Sequence, residues 1–553
     1  MKEYNQQTGP SKLLKGAAVL SLAAIVTKLL GTLQKIPLQN IGGDGVFGIY
    51  NTVYPFYTIL LMLATAGFPT AISKFVAERH AVGQEAGKRE VLRMATIVMA
   101  ILGVACSFLM YFGAPFLSRL IGSSQLIPAL RSSAPALLFI PLSAAMRGYF
   151  QGLQDMMPTA VSQVIEQAVR VAVMIVLLVY LGGIGSSDDM IAGGALAGSA
   201  AGGVAGLIVM LMYWRRYSRG ESKIQMVTVS PAEKYPKSTR ETSLDKGERG
   251  WGLLRSMLRY AIPICLASLA VPLISLVDTF TLPRLLRGSG GEIGAMIEVG
   301  IYNRGIPLVQ LVTMIATSLS VLFIPALAEL KMRSDLEGIR RQSSVALRWF
   351  WLIGLASSIG LAMLAEPINV MLYGDVAGSG TMAWVAWTAA PGALVTVTAA
   401  LLQGLGYVRA PALHLLTAAV LKLVLNMLLV PQLGPDGAAI AGIVAYAVAA
   451  ALNLALLLRR AGIALRVRDA LLRPAVAALA LAAALALLRF ATASLPHTRL
   501  AAVAESLLGV LLGAAVFAAA VLRTRLLSEA ELSALPRVGP KLLSALRRLG
   551  LLR

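Results

Sequence analysis

The 553-residue chain breaks into about fourteen apolar stretches near 20 residues long, and no other feature constrains its fold as strongly. About 20 apolar residues wound as a helix cross the roughly 30 Å hydrocarbon core of a bilayer. Inside lipid every backbone N–H and C=O must pair within the protein, and an open sheet edge leaves them unpaired, so each stretch has to be a helix. The stretches lie at about 16–37, 47–73, 92–117, 125–147, 157–182, 189–214, 253–282, 297–328, 344–365, 380–404, 408–431, 435–458, 471–490 and 500–522. Composition agrees: 57% of residues are hydrophobic and 14% charged, where soluble domains carry roughly 25% charged residues. The expected fold is an all-α polytopic membrane protein.

A second regularity groups the spans. Gly48-Ile49-Tyr50-Asn51 returns unchanged as Gly300-Ile301-Tyr302-Asn303, an offset of 252 residues. At the same offset Met62-Leu63-Ala64-Thr65 becomes Met314-Ile315-Ala316-Thr317, Gln151-Gly152-Leu153 becomes Gln403-Gly404-Leu405, and basic Arg170 becomes basic Lys422. One offset shared by four places marks a duplicated half. Six spans per half is an even number, so the halves share one orientation, as in transporters built of two facing repeats with the substrate site between them. The division that follows is an N-lobe over 1–214, a flexible cytoplasmic linker over 215–250, a C-lobe over 251–460, two further spans over 461–522 that pack outside the repeat, and a basic tail over 523–553. The tail sets Lys541, Arg547, Arg548 and Arg553 among leucines, the pattern of an amphipathic helix on a membrane surface or of a solvated end.

Orientation is read from Lys and Arg. Lys2, Lys12 and Lys15 precede the first span; Lys74, Arg79, Lys88, Arg89 and Arg93 follow the second; Arg333, Arg340 and Arg341 follow the eighth; Arg459, Arg460, Arg466 and Arg468 follow the twelfth. The connections 38–46, 183–188, 372–379 and 432–436 have none. Both termini are therefore expected in the cytoplasm, and span 1, with Lys28 and Lys35, is a permanent helix rather than a cleaved signal. The net charge of +22 is spread over many loops, which argues against a nucleic-acid partner. Cys106 and Cys265 lie inside spans as buried thiols, and His80, His414 and His497 are far apart. No catalytic constellation, cofactor motif or metal-ligand spacing is present, so no enzyme, cofactor or metal is expected.

Charges inside spans are costly and mark pathways. The candidates are Lys28, Lys35, Arg170, Arg304 and Lys422, all positive, and Glu166 and Asp278, both negative. Glu166 and Arg170, four apart on one helix face, can form a local ion pair or serve the substrate. Lys35 and Arg304 can snorkel from span ends; Lys28 lies mid-span, where snorkelling is harder. Five positive charges against two negative suit an anion such as a phosphate or pyrophosphate headgroup, whereas a drug-cation exporter calls for the reverse. An inside-negative potential favours outward movement of an anion by roughly 2.3 kcal/mol per charge per 100 mV.

The run Thr27-Lys28-Leu29-Leu30-Gly31-Thr32-Leu33-Gln34-Lys35-Ile36-Pro37-Leu38, then Gly45-Val46-Phe47-Gly48-Ile49-Tyr50-Asn51, resembles the opening of the stage V sporulation protein B-like branch of the multidrug/oligosaccharidyl-lipid/polysaccharide (MOP) exporters. Arg147-Gly148-Tyr149-Phe150-Gln151-Gly152, Val277-Asp278-Thr279-Phe280 and the segment 300–320 extend the likeness over about residues 12–460, and fourteen spans suit the MurJ-like lipid II flippases of this group. The resemblance implies a MATE-like fold, a V-shaped cavity between two six-helix lobes, and flipping of an undecaprenyl-linked precursor. It implies cavity arginines on spans 1, 2 and 8, which Lys28 and Arg304 match most nearly. Lys35 is adjacent to the second position of span 1, occupied by Gln34, and span 2 has no Lys or Arg before Lys74. Some relatives hold Na+ between spans 7, 11 and 12; Asp278 and Asn426 correspond to part of that site, but Lys422, one turn before Asn426, would repel a cation. Lys422 can pair with Asp278 in place of Na+, or face the cavity as Arg170 does at the repeat-related position.

The expected function is a flippase for an anionic polyprenyl-pyrophosphate-linked glycan precursor, with lipid II foremost, in the bacterial cell membrane. Membrane lipids and cell-wall synthesis proteins are the expected partners. A cation-coupled multidrug antiporter of the same fold and a non-transporting scaffold for wall or spore-coat assembly are the alternatives.

Overall fold

A computed structural model describes residues 10–65, 67–227, 250–288, 290–320, 322–463, 468–494, 498–524 and 526. Among these, the secondary structure is helical throughout, without a strand. Twelve helical runs are long and apolar enough to cross a membrane. One of them, Ala18–Ala81, has 64 residues, twice the length of one crossing, and Trp251–Ser268 with Ala270–Leu285 falls outside the twelve. The expected count of fourteen requires two crossings from the first and one from the second.

Two glycines shape the first run. Gly43 has φ 78°, outside the helical region, and bends the helix Lys35–Thr65 where the first span gives way to the second. Gly67 has φ 81°, and a Cβ there would stand 2.3 Å from the carbonyl oxygen of Ala261, so the chain can pass this close to the helix Trp251–Ser268 only as glycine.

Close packing divides the chain at Arg284 and Leu285. This differs from the repeat boundary, because the segment 251–284 packs into the first unit. There Lys74 Nζ lies 4.6 Å from the Tyr260 ring centre, Gly250 N donates to Glu90 Oε1 (3.1 Å), and Thr279 Oγ1 donates to Thr52 O (3.1 Å). Phe68, Ile72, Val91, Met99, Leu253 and Met257 form the core of this end of the unit. The expected linker also begins later than its composition suggests. The helix Asp188–Val227 runs past residue 214, since no proline interrupts the chain before Pro231. Residues 228–249 and the tail 527–553, on which the rest of the linker and the amphipathic-tail expectation fall, lie outside the described residues.

In the second unit Phe350, Val397, Leu401 and Leu457 centre one core, and Ile359, Leu481, Leu485 and Phe517 join the last two helices, Arg473–Thr492 and Arg499–Arg523, to Leu336–Met363.

Local geometry repeats at the 252-residue offset. Asn51 Nδ2 donates to Phe47 O and Asn303 Nδ2 to Val299 O, each at 2.8 Å. The helices Ala136–Gly152 and Ala389–Gly404 end alike. Gln154 N donates to Gln151 O and Asp155 N to Phe150 O; Gly406 N donates to Gln403 O and Tyr407 N to Leu402 O. Gln154 and Gly406 both take positive φ, 61° and 88°. Gly152 and Gly404 each abut a backbone carbonyl of a neighbouring helix, Ser73 O and Ile324 O.

Candidate functional site: a buried cationic network

The first unit carries a chain of polar side chains through its apolar interior. Arg147, near the end of Ala136–Gly152, donates through Nη2 to Glu166 Oε2 (2.6 Å) and through Nε to Ser162 Oγ (2.8 Å). Glu166 Oε1 accepts from Arg170 Nη2 (3.3 Å). Ser162, Glu166 and Arg170 all lie on the helix Met157–Gly183, each one turn from the next, so they share a face. Arg170 Nη1 donates to Gln167 Oε1, Gln167 Nε2 to Gln34 Oε1, and Gln34 Nε2 to Tyr50 Oη, each at 3.3 Å. Tyr50 belongs to the repeated Gly-Ile-Tyr-Asn element, and its ring stacks on Tyr54 at 5.5 Å.

Glycines make this arrangement possible. Gly198, Gly202 and Gly206 recur every four residues on Asp188–Val227 and let that helix lie directly against Met157–Gly183. A Cβ at Gly202 would stand 2.6 Å from Glu166 O, and one at Gly206 would stand 3.0 Å from Glu166 Oε2 and 3.2 Å from Arg147 Nη2. The two helices therefore close over the ion pairs and exclude solvent from them.

The cluster holds two guanidinium groups and one carboxylate, all largely buried. A buried charge is tolerable only when paired and hydrogen-bonded. Glu166 is fully engaged by both arginines, while Arg170 Nε has no hydrogen-bond partner among the described residues. The network is thus net cationic with an unused donor, and it is enclosed, so an anion reaches it only after the helices part.

The other sequence-derived residues fall elsewhere. Lys28, on Pro10–Leu33, is exposed, and Lys35, at the start of Lys35–Thr65, is buried. Asp278 is half-buried on Ala270–Leu285, in the first unit. Lys422 and Asn426 are buried one turn apart on Arg409–Leu433, in the second unit.

Arg304 does not line an open surface: it is 1% exposed. Pro307 cannot continue a helix through residue 303, so Gly291–Asn303 stops and Ile306–Ser320 restarts, with Arg304 at the break. Its guanidinium makes two bonds to Asp375, Nη1–Oδ1 at 2.6 Å and Nη2–Oδ2 at 3.1 Å. Nη1 also donates to Ala377 O (3.1 Å) and Asn369 Oδ1 (3.4 Å), and Tyr373 Oη donates to the freed Arg304 carbonyl (2.9 Å). Arg304 thereby fastens the turn between Ala365–Tyr373 and Ser379–Ala386. The hydrogen bonds from Arg304 hold the Asp375 carboxyl below the ordinary carboxylate range. An anion reaches Arg304 only after this pair opens.

Sequence reasoning missed Arg147, Gln34, Gln167 and Asp375. Arg147 closes an apolar stretch and so reads as an interfacial residue, although its helix continues to Gly152. Its partner Glu166 is 19 residues away on the next helix, beyond any periodicity test. Asp375 lies in a loop, where a carboxylate attracts no notice.

The helices and the duplicated local geometry, together with a buried cationic network, define a multi-pass membrane protein built on a duplicated frame. A family model described as polysaccharide biosynthesis protein matches residues 13–331. The chain is 33% identical over 536 residues to the uncharacterized membrane protein YabM of Bacillus subtilis (strain 168), covering 97% of this chain and 96% of that one. It is 28% identical over 472 residues to the lipid II flippase MurJ of the same organism, covering 82% and 84%. A solved lipid II flippase MurJ in an inward closed conformation shares the fold, with TM-score 0.64 and 14% identity over 92% of this chain and 99% of that one. The chain belongs to the polysaccharide biosynthesis protein family, and it is a membrane transporter of the flippase type.

Proposed function

We propose that the protein flips an anionic polyprenyl-pyrophosphate-linked cell-wall or polysaccharide precursor, lipid II foremost, from the inner to the outer leaflet by alternating access. The observation that carries this reading is the buried excess of guanidinium over carboxylate around Glu166. A carrier of organic cations would need the opposite sign at such a site. Lys28 and Lys35 supply further positive charge on the first two helices. An apolar cavity of about 680 Å³ between Leu336–Met363 and the last two helices is of a kind that takes a polyprenyl tail. The similarity to a lipid II flippase over most of both chains supports the same cargo class. The membrane potential drives the anion outward and returns the emptied, positively charged carrier. Both termini lie in the cytoplasm, and Asp278 and Lys422 are the groups that couple transport to charge.

The test is transport by purified protein in proteoliposomes with defined lipid-linked substrates under a clamped potential. Lys28→Ala and Arg170→Gln should each lower the flipping rate at least tenfold in folded protein, and Lys35→Ala should lower it less. Lys422→Ala should make transport Na+- or pH-dependent. Undiminished flipping by the Lys28→Ala, Arg170→Gln double variant rejects the anion site.

A further inference from the structure

Helix Leu336–Met363 carries a second apolar cavity, of about 740 Å³, on a face different from the first. Trp351, Leu355 and Ile359, one turn apart, line it on this helix, and Pro474 and Ala478 line it on Arg473–Thr492. Trp384, 44% exposed, stands at its rim, so the cavity opens sideways to the surface that faces lipid. Every lining residue is apolar or tryptophan. From Trp351 to Met363 the helix rises about 18 Å, close to the roughly 15 Å spanned by the acyl chains of one leaflet. The shape and chemistry are those of a slot for a single hydrocarbon chain.

The end of the slot gives the headgroup. Leu471, a lining residue, sits in the turn Arg468–Leu472 between Arg468 and Arg473. Arg473 Nη1 is held by Asp469 Oδ1 (2.7 Å), while Arg468 is exposed and has no ion-pair partner among the described residues. The first cavity differs in this respect. Beside its lining residues Leu364, Leu485 and Gly509 stand Glu366, Arg489 and Glu505, two carboxylates around one arginine. At that end the arginine is already paired with carboxylates, whereas the Arg468 end offers a cation to a headgroup.

We propose that the second cavity is a binding site for one anionic phospholipid, with an acyl chain between Trp351 and Ala478 and the headgroup phosphate on Arg468. The site is independent of the transported cargo, and its test needs no flipping. Delipidated full-length protein in detergent is titrated with phosphatidylglycerol or with phosphatidylcholine of identical chains, and bound lipid is counted by native mass spectrometry. The unaltered chain should retain one phosphatidylglycerol with about fivefold preference over phosphatidylcholine, the scale of one arginine beside an anionic headgroup. Arg468→Gln should erase most of that preference and leave phosphatidylcholine binding unchanged. Ala478→Phe, which fills the slot, should lower retention of both lipids about tenfold. Equal retention of the two lipids by the unaltered chain overturns the proposal without any variant. So does retention indifferent to Ala478→Phe in protein with an unaltered Tm.

Discussion

At the scale of single residues, the site depends on how few charges serve how many partners. Glu166 pairs with both Arg147 and Arg170, so Glu166→Ala leaves two buried guanidinium groups without a carboxylate and orphans a donor on each, Arg147 Nη2 and Arg170 Nη2. Removing one partner of a buried pair costs roughly 3–5 kcal/mol. The expected result is a large fall in Tm for Glu166→Ala, partly restored in Arg147→Met, Glu166→Ala, because the second change removes one uncompensated charge. Asp375 gives a pH dependence of known sign. Its folded pKa is depressed by Arg304, so the pair stabilises the protein above the ordinary carboxylate pKa, and the contribution is lost as pH falls through the lower folded value. Stability should be flat from pH 5 to 8 with respect to this group and fall below about pH 4. Asp375→Asn should lower Tm at neutral pH and flatten the acid slope. Because Asp375 is half exposed, the loss should be smaller than for Glu166. A steep acid slope that persists in Asp375→Asn would assign it to other carboxylates.

At the scale of elements, the helices were legible from the sequence and their interruptions were only partly so. Apolar length announces a span because lipid forces it. The break at Arg304 is also written in the chain, as Pro307 three residues on, but which side chain fills the gap depends on the loop at 375, which no local pattern reveals. The Glu166–Arg170 pair was readable because both residues lie on one helix; Arg147, on another, was not. The glycine ladder 198, 202, 206 tests how the two helices enclose the network. Gly202→Ala places a methyl against the Glu166 carbonyl and should cost roughly 1–3 kcal/mol, with transport falling in parallel. Gly182→Ala, which meets nothing within 4 Å, is the matched control. Equal effects of the two substitutions in thermal unfolding would show that close approach at Gly202 is not required.

At the scale of the whole molecule, duplication organises the chain. The same caps and the same asparagine bond return at one offset, so the two halves solve local problems alike. Their polar interiors have diverged: Arg147 and Glu166 correspond by offset to Ala399 and Ala418. The first half gathers two arginines around one carboxylate, while the second buries Arg304 against Asp375 and Lys422 elsewhere. Sequence alone gave the sign of that charge but not its geometry, because the sign is a sum over residues and the geometry is a matter of packing between helices. The measurement that tests this account most directly is flipping of lipid II in proteoliposomes under an imposed potential, comparing the unaltered chain with Arg170→Gln. The account predicts potential-dependent flipping by the unaltered chain and at least a tenfold loss in a variant that is folded and inserted. Flipping that ignores both the potential and the Arg170 substitution would contradict it.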